Sequence, residues 1–224
     1  MNRLRFLSPA VILIPLLAAL APLAGRADAT QVEVDSPAAR AFETAPTAVF
    51  PSIDSLTRLD MLDYFRAGIT KASKNAFNGQ ARVTALSASQ ITVATSEVAE
   101  KTISLIPRGK NDTIIMLITT VKTPAEDSQV KFYTRRWQPL DKGLFMVPTL
   151  DRWLTPEGES KRETLEDAVP YMLAKITYEP EKRRLTLVNN IGEYLPEEVK
   201  ELAGSSLRGQ LTFHWDGHKM VEEK

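Results

Sequence analysis

The segment 132–137 (FYTRRW) alternates aromatic and arginine side chains, a composition suited to binding sugars or acidic groups. An aromatic ring can stack on a sugar or a cation, and a guanidinium donates a fork of hydrogen bonds to a carboxylate. In an extended strand Tyr133, Arg135 and Trp137 share one side and Phe132 takes the other. With Phe132 facing the core, we predict that Tyr133, Arg135 and Trp137 form a ligand-binding face.

Two alternatives to this binding face stay open. Such a segment also occurs as an ordinary exposed strand face whose aromatic rings pack inward. In addition, a bend of the strand before Pro139 would turn the Trp137 indole into the core. Only Tyr133 and Arg135 would then remain for a ligand.

The two histidines of the chain, His214 and His218, lie close together in the segment HWDGH. They flank a tight turn at Asp216-Gly217 and have no third nitrogen or sulfur ligand, since the chain has no cysteine. Structural zinc normally takes four ligands. We therefore predict no metal site and no cofactor, and interpret Asp216-Gly217 as a hairpin turn.

Paired carboxylates are the other chemistry that the sequence offers. Asp60 and Asp63 stand three residues apart on a predicted helix, as an acid and base of a glycoside hydrolase could. Arg66 follows Asp63 by three residues, so an ordinary surface ion pair is the simpler interpretation. Five further acidic residues are interpreted as a solvated helix start: Glu157, Glu159, Glu163, Glu166 and Asp167.

A complete catalytic set is missing from the sequence. There is no G-x-S-x-G nucleophile elbow, no glycine-rich phosphate loop and no dinucleotide fingerprint. We predict no catalytic residues, and the sequence favours a protein that is not an enzyme.

The first 29 residues are typical of a secretory signal peptide. Arg3 and Arg5 precede an apolar run over residues 6–23 that three prolines interrupt, and a small-residue site follows at Ala27–Ala29. We predict cleavage after Ala29 and a periplasmic or secreted protein. A membrane anchor is the alternative; a thiol-linked lipid anchor is excluded because cysteine is absent.

The predicted mature chain is slightly acidic. Residues 1–29 remove three arginines and one aspartate from 28 basic and 28 acidic residues, which leaves 25 and 27 and a net charge of −2. Nucleic acid is therefore an unsuitable partner. No later apolar run approaches the roughly 20 residues of a membrane span.

The clearest structural element is a hairpin over residues 112–140. From Ile114 to Val121 both faces are apolar, which predicts a strand covered on both sides. After a turn at residues 123–128, alternation begins with Val130 and Phe132 facing inward.

Before this hairpin, the apolar residues first have the spacing of helices and then the spacing of strands. Residues 38–44 predict a short helix anchored by Phe42, and Asp54 is positioned to cap a second helix. The apolar face of that second helix is predicted as Leu56, Leu59, Leu62, Phe65 and Ile69. Three short strands around residues 83–85, 91–93 and 103–105 complete an antiparallel meander.

The second half repeats this mixture of helices and strands. Ser160 is predicted to cap a helix that ends at Pro170, and a short helix over residues 196–202 is predicted to close at Gly204. Two hairpins are predicted, over residues 176–188 and 210–221. The apolar, aperiodic segment 145–154 is predicted as a buried connector.

These elements predict an α+β fold built on an antiparallel sheet meander with packed helices. Residues 30–36 are predicted as a mobile lead and residues 37–224 as one domain, with a meander half to about 140 and a helix-hairpin half from about 155. The two halves could be related by duplication, but they do not align residue by residue.

Four stretches of the chain resemble a known family of uncharacterised proteins: FETAPTAVF (42–50), RLDMLDYF (58–65), VKFYTRRWQPL (130–140) and FHWDGHKM (213–220). In this order they are similar to the domain-of-unknown-function family 3256, exported proteins of Gram-negative gut-type anaerobes. His214 and His218 depart from the basic or aromatic residues usual in that last stretch. The resemblance implies export and an α+β domain, and it implies no reaction and no functional residues.

The sequence thus predicts an exported periplasmic or surface protein of unknown function that binds a protein or polysaccharide partner without catalysis. The alternative is a carboxylate-dependent hydrolase acting on polysaccharide or cell-wall material, with Asp60 and Asp63 as candidates.

Overall fold

The structure is a computed structural model that describes residues 36–140 and 143–223. The predicted signal peptide, residues 1–29, and residues 30–35 of the predicted lead lie outside the described residues. Ser36, the last residue of that lead, is buried and is the N-cap of the first helix.

Two helices and a six-stranded meander form the first half. The elements in chain order are α1 (Pro37–Glu43), α2 (Ser55–Arg66), β1 (Ser73–Lys74), β2 (Gln80–Leu86), β3 (Gln90–Ala94), β4 (Ala99–Arg108), β5 (Asp112–Val121) and β6 (Asp127–Thr134). Each strand pairs antiparallel with the next, so that spatial order equals chain order.

The second half begins with short helices and ends in a second antiparallel sheet. Its elements are α3 (Leu150–Trp153), α4 (Pro156–Glu159), α5 (Arg162–Ala168), β7 (Ala174–Glu179), β8 (Arg184–Asn189), a 3₁₀ turn (Ile191–Glu193), α6 (Glu197–Ser206), β9 (Gln210–Trp215) and β10 (Met220–Glu222). The strand order of this four-stranded sheet is β10-β9-β8-β7. The predicted α+β class with antiparallel meanders is confirmed.

Strand β5 is covered on both faces, as its sequence predicts. Ile114, Met116 and Ile118 belong to the core between the two sheets. Ile115 and Leu117 belong to the core beneath α1 and α2. The six-stranded sheet therefore lies between a helical layer and the second sheet.

Two helix caps and a buried arginine stabilise the helix-side core. The Ser36 hydroxyl accepts from Ala39 N, and an Asp54 carboxylate oxygen accepts from Thr57 N at 2.8 Å. Buried Arg58 of α2 donates from Nη1 to Ala45 O at 2.5 Å. These bonds fix the turn between α1 and α2 against the sheet.

The predicted buried face of α2 is partly wrong. Leu62 is buried and Phe65 packs on the core, but Leu56, Leu59 and Ile69 are exposed. The helix turns Arg58, Met61 and Leu62 inward instead. A buried arginine in the first turn hides the true face from a hydrophobic pattern, because that pattern counts arginine as an outward residue.

Two helix ends also differ from prediction. Ser160 ends α4 instead of capping the next helix, and α6 continues through Gly204 to Ser206. Helix α4 approaches α6 so closely that a Cβ on Gly158 would lie 2.0 Å from Ser206 O. This close approach requires glycine at position 158 and explains the early short helix.

The two sheets meet along the edges of β6 and β7. Ala174 N donates to Asp127 Oδ1 at 3.1 Å, and Ile176 N donates to Ser128 Oγ at 3.0 Å. Further along, Trp215 Nε1 donates to Pro107 O at 2.7 Å. Side chains thus take the hydrogen-bonding positions that a neighbouring strand would otherwise fill on β7. Within the described residues, no helix is both long and apolar enough for a membrane crossing.

Candidate functional site

The predicted binding face on β6 lies against the helix-side core. Tyr133 is half-buried there, and its ring centroid is 5.2 Å from that of Trp137. Trp137 is buried, has a backbone φ of 61°, and donates from Nε1 to Ala41 O at 3.2 Å. The chain bends after β6, and the indole turns into the core, which is the alternative that the sequence left open for Trp137.

Burial raises the pKa of the Tyr133 phenol above its usual value of 10.0. Arg135 is exposed and lines a cavity of about 270 Å³ beside α1, together with Pro37, Ala41 and Thr44. Neither Tyr133 nor Trp137 lines this cavity. The structure therefore does not bring the three predicted residues to one open site.

The other candidate groups stay apart from one another. Asp63 accepts from Arg66 Nη1 at 3.4 Å in an exposed ion pair, as the spacing predicts, and Asp60 is exposed on the same helix. His214 lies on β9 and exposed His218 in the following turn, where Asp216 Oδ1 accepts from the His218 and Lys219 amides. These two bonds lower the pKa of Asp216. Asp216 thus acts as the turn residue that the sequence predicts.

An apolar cavity lies where the two sheets meet the segment 147–153. We call it the Trp153 groove. Its floor is formed by Ala174 and Ile176 of β7, its sides by Trp153 and Val169, and its volume is about 400 Å³. This volume is in the range of small-molecule and side-chain pockets.

Four exposed side chains lie in the lining of the groove or next to it, and we call them the rim: Val147 and Tyr171 line the groove, Met146 precedes Val147 in the chain, and Tyr194 packs against Tyr171. Met146 is 81% exposed and Val147 is 64% exposed. Tyr171 stands half-exposed at the mouth with its ring centroid 5.7 Å from that of Tyr194. A hydrogen bond between these two phenols raises the pKa of Tyr171. Adjacent exposed apolar side chains beside a cavity are typical of binding surfaces.

The exposure of Met146 and Val147 shows that the prediction of a buried connector is wrong in part. The connector 145–154 is buried at Trp153 and Leu154 but not at Met146 and Val147. Met220 N donates to Leu144 O at 2.7 Å, and Phe145 packs edge-on against Phe213, so the connector is fixed to the second sheet just before the exposed pair. An aperiodic apolar run cannot show which of its side chains face outward.

Two carboxylates and one hydroxyl are the polar side chains closest to the floor. Asp127 and Ser128 line the groove while they accept the β7 amides described above. Glu166 lines the opposite wall and lies 3.6 Å from Arg162 Nη1. Both carboxylates are on exposed residues. They set the charge of the mouth but have no buried acid–base partner.

The indole nitrogen of Trp153 is an unpaired buried donor. Trp153 is 1% exposed, and its Nε1 has no hydrogen-bond acceptor among the residues that the structure describes. The other two indoles, of Trp137 and Trp215, both donate to backbone carbonyls. A buried N–H without an acceptor costs roughly 1–3 kcal/mol. The groove wall thus contains a donor that protein atoms leave unsatisfied.

Sequence reasoning missed this site. The signal was present as two apolar residues, Met146 and Val147, directly before Pro148, which cannot continue a helix or a central strand. Tyr171 follows Pro170 in the same manner. An apolar residue beside a proline in a connector between two folded halves is a better indicator of exposure than hydrophobicity alone.

Comparison with known proteins gives a family and a fold. A family model described as "Protein of unknown function (DUF3256)" matches residues 31–220. No curated protein matches the chain.

Among solved structures, a domain of an uncharacterized protein from Porphyromonas gingivalis W83 is similar, with a TM-score of 0.72 and 23% identity. The match covers 84% of this chain and 98% of that one. At this identity the likeness establishes the fold alone.

Proposed function

This chain belongs to the DUF3256 family, and from its fold and its groove we propose that it is an exported, non-enzymatic binding protein. It holds an apolar group of a ligand or partner in the Trp153 groove. The partner is a protein or a polysaccharide. The origin in a Gram-negative anaerobe, which the resemblance implies, is part of the proposal.

The observation that carries the binding role is the exposed apolar rim beside an apolar cavity. Val147, which lines the groove, and Met146, which directly precedes it in the chain, expose hydrophobic surface to water. Leaving apolar surface exposed forgoes roughly 25 cal/mol per Å² of stabilisation, which a ligand recovers when it covers that surface. Ligand binding therefore explains why these apolar side chains are exposed.

Export is supported by the first 29 residues and by composition. Two arginines, an apolar run and a small-residue site precede the domain in the order of a signal peptide. We propose cleavage near Ala29 and a periplasmic or secreted location. Mass spectrometry of protein recovered from the extracytoplasmic fraction should give a mature N-terminus at Thr30. A full-length form held in the membrane would instead indicate an anchor.

A neutral fluorescent apolar probe, N-phenyl-1-naphthylamine, tests the groove directly. We expect its fluorescence to rise on addition of the folded protein and to reach saturation. Val147→Glu places a charge at the mouth of the groove and should weaken probe binding about ten-fold or more, because a charge next to an apolar ligand is costly to desolvate.

Leu56→Glu is the matched control. Leu56 is 68% exposed, close to the 64% of Val147, and lies on α2 away from the groove. Probe affinity should be unchanged in this variant. Absence of probe binding, or an equal loss in both variants, would contradict the assignment of the groove as the binding site.

The non-enzymatic part of the proposal is tested with purified protein. Neither soluble polysaccharide nor peptidoglycan should be degraded. Hydrolysis that disappears in Asp60→Asn or Asp63→Asn would establish the carboxylate-dependent hydrolase instead.

A further inference from the structure

The charge of the Trp153 groove selects among apolar ligands. Asp127 and Glu166 line it, and no lysine or arginine among the described residues does. Arg162 lies 3.6 Å from Glu166, whereas Asp127 accepts an amide proton from Ala174. A negative mouth repels an anionic amphiphile such as a fatty acid and attracts a cationic group.

The edge of β7 that faces away from β8 cannot pair with an added strand. Its amides at Ala174 and Ile176 already donate to Asp127 and Ser128. A ligand in the groove therefore cannot bind by adding a strand at these positions of β7, which is the common way for an extended peptide to bind a sheet edge. It must bind through side chains that fill the groove.

The unpaired donor of Trp153 adds a requirement for an acceptor. Its Nε1 is buried without a partner, so a ligand that carries a carbonyl oxygen gains a hydrogen bond that no atom of the described protein makes. Since Trp153 is 1% exposed, the wall around the indole must shift slightly for this bond to form. A peptide carries a carbonyl next to every side chain.

The rim has the composition of a protein-binding surface. Tyrosine and methionine are enriched in protein interfaces; here Tyr171 lines the groove, Tyr194 packs against it, and exposed Met146 directly precedes the lining residue Val147. A cavity of about 400 Å³ accommodates one or two side chains.

We propose, on the basis of the binding function proposed above, that the Trp153 groove docks a peptide segment of a partner protein that carries a large apolar residue next to lysine or arginine. The apolar side chain fills the groove. The basic side chain pairs with Asp127 or Glu166, and a backbone carbonyl accepts the Trp153 N–H.

The three tryptophans make a specific test possible. In a ¹⁵N-labelled protein each indole N–H gives a separate resonance, and Trp→Phe variants at 137, 153 and 215 assign them. The probes are Ac-Lys-Leu-Lys-NH₂, Ac-Glu-Leu-Glu-NH₂ and sodium decanoate. We expect the lysine peptide to move the Trp153 resonance and to leave the resonances of Trp137 and Trp215 in place, because these two indoles already have acceptors.

The lysine peptide should bind at least about five-fold more tightly than the glutamate peptide, since two carboxylates attract the first and repel the second. Glu166→Gln should weaken the lysine peptide roughly two- to five-fold, the range of an exposed ion pair. Glu163→Gln, on the same helix but outside the groove lining, is the matched control and should change nothing.

The outcomes separate this inference from the proposed function. If decanoate alone moves the Trp153 resonance, the groove binds lipid chains, and the peptide inference is wrong while the binding function stands. Equal affinity for the two peptides would likewise overturn the inference. If none of the three probes moves the Trp153 resonance and the apolar fluorescent probe does not bind, both proposals fail.

Discussion

The two faces of the six-stranded sheet are covered by different parts of the chain, and each side has a cavity: one of about 270 Å³ beside α1, and the Trp153 groove of about 400 Å³. On the helix side, α1, α2 and the turn between them bury Phe42, Phe50 and Trp137. On the other side, the second sheet and its connectors bury Trp153 but leave a groove and an exposed rim.

The hydrogen bonding of the tryptophan indoles differs between the two faces. On the helix side Trp137, Arg58 and Lys101 donate to the carbonyls of Ala41, Ala45 and Val49, although Arg58 Nε has no partner among the described residues. Burial and the nearby Lys131 lower the pKa of Lys101, and its ammonium also lies 5.2 Å from the Phe50 ring centroid. On the sheet side the Trp153 indole has no acceptor. The two faces thus differ in the hydrogen bonding of their indoles, since Trp137 has a backbone acceptor and Trp153 has none among the described residues.

The largest test of this comparison concerns the whole chain. We propose that residues 37–224 fold as one domain, because β6 side chains complete the edge of β7. Limited proteolysis should not release two stable folded fragments by cutting between residues 141 and 160. Recovery of two such fragments would mean that each sheet is an independent unit, and the comparison of faces would lose its basis.

A core truncation should show the next largest effect. Phe42 is fully buried, with its ring centroid 5.0 Å from that of Phe50, so Phe42→Ala should cost about 3–5 kcal/mol of unfolding free energy. Val147→Ala on the exposed rim should stay within about 0.5 kcal/mol. Chemical denaturation of both variants measures the difference. Similar losses would show that the rim packs as tightly as the helix-side core.

Sequence reasoning succeeded where periodicity and local chemistry agree. The pattern from Ile114 to Val121 defined β5, and the Asp54 cap defined the start of α2. It failed on the buried face of α2 because Arg58 is buried in the core, where it donates a hydrogen bond to the backbone carbonyl of Ala45, 13 residues earlier in the chain. Such a non-local contact leaves no periodic signal.

The positions of the four stretches that carry the family resemblance explain why these stretches indicated no chemistry. Phe42 and Ala45 come from the first stretch, Arg58 from the second and Trp137 from the third, and all four meet around the helix-side core. None of the residues that line the Trp153 groove belongs to these stretches, so a resemblance built on them could not point to it.

Two tryptophan variants sharpen the comparison between the faces. Trp137→Phe removes the donor to Ala41 O, whereas Trp153→Phe removes a donor that had no acceptor. Both lose similar ring area, so Trp137→Phe should be the more destabilising by about 1–2 kcal/mol. Urea denaturation midpoints with matched slopes decide this. A greater loss at Trp153 would show that its indole N–H is satisfied in solution.

The smallest effects are expected on β6, where the first hypothesis of a ligand-binding face arose. Tyr133 is half-buried against the helix-side core and touches Trp137, so Tyr133→Ala should cost roughly 1–2 kcal/mol, more than an exposed residue would. Arg135 is exposed at its cavity, and Arg135→Ala should stay within about 0.5 kcal/mol. Thermal melts of the two variants measure these losses. If Tyr133→Ala lowers stability as little as Arg135→Ala, the tyrosine ring is not part of the core. The outer face of β6 then becomes available again as a second ligand surface in addition to the Trp153 groove.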